Sequence, residues 1–109
     1  MERIYNKLVR DNIPDIIAAK GETPVTGILG DAEYKKALED KLCEEYQEVM
    51  ESSGDERCEE LADVVEVVRA LAKLENRSLE DIINLADRKR EKRGGFDNRI
   101  FLEKVIEKP

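Results

Sequence analysis

Apolar residues recur at helical spacing through the middle of the chain. Tyr34, Leu38, Leu42, Tyr46 and Val49 stand three or four residues apart and predict a helix over roughly 32–51. Asp31 is the expected N-cap. Leu61, Val64, Val65, Val68, Leu71 and Ala72 form a broader stripe, predicting a second helix over 56–74 with Ser53 and Glu56 as its capping box. Leu79, Ile82, Ile83 and Ala86 predict a third over 79–92, opened by Ser78 with Asp81 and closed by Gly94-Gly95. A shorter helix starts around Asn12 and Pro14 and stops at Gly21.

The flanking segments pattern differently. Residues 1–10 carry Ile4, Leu8 and Val9 among charges and read as extended or irregular. Short strands are expected near 24–29 and 99–105, where Val25 and Ile28, then Ile100 and Leu102, lie between turn residues. The 52–55 turn is so short that the two long helices must pack as an antiparallel hairpin. The predicted architecture is all-α: one domain over 1–109, a helical hairpin with flanking helices. The stripe from Leu61 to Ala72 is too broad for the remaining helices to cover, so a partner hairpin is expected to complete a four-helix core.

Composition narrows the chemistry. A net charge of −7 argues against a nucleic-acid polymer as partner. No long apolar run or signal-like N-terminus is present, so neither a membrane span nor secretion is expected, and the chain reads as cytoplasmic. Cys43 and Cys58 are then expected as reduced, largely buried thiols. The chain has no histidine, which removes imidazole acid–base chemistry and His-ligated zinc. Catalysis would have to use carboxylates, Lys or Arg, and a metal.

Carboxylates interrupt both long stripes. Glu45 and Glu48 stand i, i+3 on the first helix, and Glu60 and Asp63 stand i, i+3 on the second. With helical residues advancing about 100° each, Glu45 falls roughly 60° from Leu42, inside the apolar arc, and Glu48 at its edge. Glu60 and Asp63 fall in the same sense around the second helix, so the hairpin can bring both pairs to one site. Four carboxylates together repel one another, and a hard divalent cation turns that repulsion into ligation. Oxygen-only ligands suit Mg²⁺, with Mn²⁺ as the alternative. Either pair alone reads as solvated surface; jointly they favour a metal site. Glu44 is the least secure of the other acids left as surface.

At these residues the chain resembles the MazG-like, all-α NTP pyrophosphohydrolase superfamily, which carries Glu-x-x-Glu on one helix and Glu-x-x-Asp on the next. Here these are Glu45-Tyr46-Gln47-Glu48 and Glu60-Leu61-Ala62-Asp63. The stretches YNKLVRDNIPDII and KREKRGGFDNRIFL resemble its phosphoribosyl-ATP pyrophosphohydrolase-like subgroup. The motifs are separated only by residues 49–59, short for the family. The resemblance implies Mg²⁺-dependent cleavage of a nucleoside triphosphate to the monophosphate and pyrophosphate, with a house-cleaning role. It also implies the four acids as catalytic metal ligands, and a homodimer or homotetramer. Phosphoribosyl-ATP of histidine biosynthesis is the alternative substrate. A helical module that binds a nucleotide–metal complex without turnover, or serves only in oligomerisation, is the alternative of another class.

A triphosphate also needs cations. Lys7 and Arg10 form one candidate cluster; Lys89, Arg90 and Arg93 form another, with helix-dipole compensation as the competing role for the second. The resemblance favours Lys89 and Arg93 as phosphate contacts. Asp11 is expected as a helix cap, Tyr34 and Tyr46 as core residues. Phe96 is a candidate to stack on a base or sit at a subunit contact.

Overall fold

The apolar periodicity becomes four helices in the computed structural model, which describes all residues 1–109: α1 (Ile13–Ala19), α2 (Asp31–Met50), α3 (Gly54–Leu74) and α4 (Leu79–Arg93). α2 packs along α3 as a hairpin, and α4 packs on α3 alone. Leu38 and Val49 from α2 meet Val67 and Ala72 from α3 as the buried apolar residues. No helix is long and apolar enough to cross a membrane.

The helix ends show which local signals won. Ser78 caps α4 as the pattern predicts. Its hydroxyl accepts from the Asp81 N–H at 3.1 Å, and its own N–H donates to the Asp81 carboxylate at 2.9 Å. Ser78, through its backbone N–H first and then its side chain, holds the Asp81 carboxyl below its usual range. Gly94 ends α4 at φ +81, a conformation that glycine adopts without steric cost.

The other caps differ from expectation. Gly30, not Asp31, precedes α2, because the Gly30 carbonyl already accepts the Tyr34 N–H at 2.8 Å. Asp31 becomes the first helical residue, where its charge still meets the positive end of the dipole. Asn12, not Asp11, stands at the start of α1, and no side chain caps it. Ser53 does precede α3, but its capping box with Glu56 is not formed. The turn is tied by its neighbours instead: the buried Ser52 hydroxyl donates to the Val49 carbonyl at 3.2 Å, and Arg57 donates to the Ser52 carbonyl at 2.9 Å.

Neither expected strand forms; 24–29 and 99–105 have no regular structure. A strand needs a neighbour to accept its backbone hydrogen bonds, and the chain contains none. Two packing expectations also fail. Cys43 and Cys58 are exposed. Tyr46 is 59% exposed, whereas Tyr34 is half-buried. The causes differ: Cys43 sits about 100° round from Leu42, off the apolar stripe, whereas Tyr46 lies within the stripe but beyond the arc that one partner helix covers. Leu61 and Val65 of α3 accordingly remain 46% and 43% exposed.

The whole chain reflects this shortage of cover. Its accessible surface is 10309 Å², against about 6,200 Å² for a compact chain of this mass. Its radius of gyration is 19.0 Å, against about 13 Å for a compact chain of this length.

α4 buries no side chain of its own, so its first turn leans on the cap. Ser78→Ala is expected to cost about 1 kcal/mol locally. Hydrogen exchange at the Asp81 and Ile82 amides should accelerate several-fold, with the α2–α3 amides unchanged.

Candidate metal centre

The hairpin register decides which acids meet. Glu48 and Glu60 lie nearer the turn, where the charge of Glu48 acts on Glu60; farther along, the charge of Asp63 acts on Glu45. Glu45, Glu60 and Asp63 each offer a carboxylate oxygen, and the three oxygens lie within 4.8 Å of one another. In a Mg²⁺ octahedron adjacent oxygens are about 3 Å apart and opposite ones about 4.2 Å, so the three would draw together around a common small cation. Glu48, expected as a fourth ligand, is exposed and stands outside this group of three.

Glu45 is the anchor. It is only 8% exposed, and it accepts no hydrogen bond within the chain; its nearest cation is Lys41, with Nζ 3.8 Å from Oε1. Loss of hydration, and then the charge of Asp63, push its carboxyl above the usual carboxylate range. Glu60 is raised too, by desolvation and then by Glu48, Asp63 and Glu45. Two carboxyls that resist ionisation beside a third is the electrostatic pattern that a divalent cation relieves.

Cations reach this cluster from a distant part of the sequence. Arg10 Nη2 pairs with Asp63 Oδ1 at 2.6 Å, and Lys7 Nζ with Glu44 Oε1 at 3.0 Å. Lys41 Nζ lies 3.4 Å from the other Glu44 oxygen. Burial opposes ionisation of Glu44, but the Lys7 hydrogen bond and Lys41 outweigh it and hold the carboxyl below its usual range. Glu44 in turn raises the Lys7 ammonium above its ordinary value. A carboxylate held down in this way is a poor proton acceptor, which separates Glu44 from Glu45 and Glu60 in chemical character.

Of the two sequence-derived basic clusters, the structure brings Lys7 and Arg10 to the acids. Lys89, Arg90 and Arg93 are exposed on α4 and pair with none of them; Arg90 faces Asp97 at 3.7 Å. Lys41 is the participant that the sequence reading missed. Its spacing, i−3 from Glu44 and i−4 from Glu45, was the available signal.

No family model matches the chain, and no solved structure matches it. A stretch of 43 residues is 54% identical to part of a protein of Mycolicibacterium smegmatis (strain ATCC 700084 / mc(2)155) described as uncharacterized. The stretch covers 39% of this chain and 44% of that protein, so the match spans less than half of either.

The strain at Glu45 has a measurable sign. A carboxyl whose pKa is raised on folding opposes folding above that pKa, and its penalty vanishes once both states are protonated. Glu45→Gln is therefore expected to raise the melting temperature at neutral pH in chelator. A gain on the order of 1 kcal/mol corresponds to about 4–8 °C for a chain of this length. The difference should close as the pH falls through the carboxylate range, as followed by circular dichroism.

Proposed function

We propose that the chain is a Mg²⁺-dependent nucleotide pyrophosphohydrolase, cleaving a nucleoside triphosphate to the monophosphate and pyrophosphate. The observation that carries this reading is the convergence of Glu45, Glu60 and Asp63 from two i, i+3 acid motifs across one tight hairpin. The motif resemblance supplies the substrate class.

Glu45, Glu60 and Asp63 would hold the cation, with Glu48 at the border of the site. Mn²⁺ fits the same oxygen ligands. The metal supplies charge neutralisation on a phosphate chain and a more acidic water. Arg10 and Lys7 stand beside the acids and supply the guanidinium and ammonium donors that phosphate oxygens accept. Glu44, held ionised by Lys7 and Lys41, positions those cations; proton transfer falls to the more basic Glu45 or Glu60.

In this reading the chain works in the cytoplasm as a homodimer or homotetramer. The argument is area. The surface exceeds that of a compact chain by roughly 4,000 Å², more than the ~1,000–2,500 Å² that each chain buries in an obligate interface. Leu61 and Val65, exposed on the same helix as Glu60 and Asp63, would pack against a second hairpin. Light scattering should return two or four times the 12.5 kDa chain mass, and a monomer at micromolar concentration would refute the assembly.

One observation favours a second reading. Lys89, Arg90 and Arg93 lie away from the acids, which suits a module that binds a nucleotide–metal complex without turning it over. Pyrophosphate release from a panel of NTPs and modified dNTPs with Mg²⁺ separates the two. The enzyme reading expects turnover of at least one nucleotide and a loss of about 100-fold or more in Glu60→Gln. No turnover of any substrate would favour the binding module. Rescue of a histidine-biosynthesis mutant would identify phosphoribosyl-ATP as the substrate instead.

A further inference from the structure

The N-terminal segment is attached to the hairpin by charge, at Asp63 of the group of three acids and at Glu44 beside it. Of residues 1–12, only Leu8 is even half-buried. The segment's side-chain hydrogen bonds to the hairpin are two: Arg10 to Asp63 at 2.6 Å and Lys7 to Glu44 at 3.0 Å. Arg3 turns the other way, to Glu22. Between these two ties, Glu45 remains nine-tenths buried without a hydrogen-bond donor.

Asp63 therefore has two competing uses. Its Oδ1 accepts from the Arg10 guanidinium, and its carboxylate also belongs to the group of three that suits a cation. A divalent ion drawing on Asp63 competes with Arg10 for the same negative charge, and the ion's own field repels a guanidinium left beside it. Arg10, freed from Asp63 while Lys7 still holds Glu44, would stand at the edge of a site that now attracts anions.

We propose that residues 1–12 form a cation-exchange strap: a divalent ion at Glu45, Glu60 and Asp63 displaces Arg10, whose guanidinium then binds the phosphate groups that accompany the ion. This rests on the metal-site reading and adds an order to it, with metal first and phosphate second. The two ligands then act on Arg10 in opposite directions. The residue opposes the bare ion and favours the ion's phosphate complex.

The test compares wild type, Arg10→Gln and, as a control with the same change of charge, Arg3→Gln. Mn²⁺ affinity is measured by electron paramagnetic resonance, and binding of inorganic pyrophosphate at saturating Mg²⁺ by calorimetry. Both partners of the Arg10–Asp63 pair are substantially exposed, so the expected effects are about two- to five-fold. Arg10→Gln should bind Mn²⁺ more tightly and pyrophosphate more weakly, while Arg3→Gln changes neither. In wild type, the guanidinium N–H resonances of Arg10 should shift with Mg²⁺ at the same midpoint as metal binding, and shift again with pyrophosphate. Mn²⁺ binding that is unaltered or weakened in Arg10→Gln, or Arg10 resonances that ignore saturating Mg²⁺, would overturn the strap and leave the metal site standing. Failure of wild type to bind Mn²⁺ at all would overturn the metal-site reading and the strap with it.

Discussion

The arrangement depends on one carboxylate buried in a helix seam. Glu45 occupies a position that periodicity assigns to an apolar residue, and its side chain is nine-tenths buried with no hydrogen-bond donor in the chain, only its carboxylate tip reaching solvent. That is unfavourable on its own terms, because a charge partly removed from water needs a partner. The hairpin can nonetheless form around it. Leu38 and Val49 on α2 and Val67 and Ala72 on α3 bury apolar surface along the seam, and the short turn leaves no freedom of register. With the register set, Glu60 and Asp63 must come to Glu45. The stability of the seam thus holds together three acids that would otherwise repel one another apart.

Charge is divided among the segments in a consistent way. The hairpin contributes the acids. Lys41, one turn before Glu45, and the N-terminal Lys7 and Arg10 contribute the cations. The acids Glu44, Glu45, Glu48, Glu60 and Asp63 outnumber those three cations, so the site keeps a negative character despite its ion pairs. α4 carries a separate basic surface, compensated locally by Asp97 and by the negative end of its own helix. The site is thus assembled from the first two-thirds of the chain. The last third extends α3 through a well-capped fourth helix and a tail without regular structure.

How much of this was legible depended on how local each determinant is. The hairpin followed from the shortness of the turn, and the depth of Glu45 from helical angle. Ser78 with Asp81 was readable because all its partners lie within one turn. Ser53 with Glu56 has the same spacing, yet Ser52 and Arg57 took over that turn. The thiols were misjudged because composition was allowed to outweigh angle: Cys43 follows Leu42 and so sits about 100° round from the apolar centre. Tyr46 lies within the apolar arc but beyond the strip that a single partner helix covers. The ion pairs of Lys7 and Arg10 join positions 37 and 53 residues apart, which no local pattern reports.

The central claim is that the seam acids form a cation site, and crystallography with Mn²⁺ tests it most directly. Crystals grown or soaked with Mn²⁺ should show an anomalous peak between Glu45, Glu60 and Asp63, with carboxylate oxygens at about 2.2 Å. The peak should be absent when Glu60 is replaced by Gln. A map with no peak among these residues at saturating Mn²⁺, or with the ion bound elsewhere while Arg10 still holds Asp63, would contradict it.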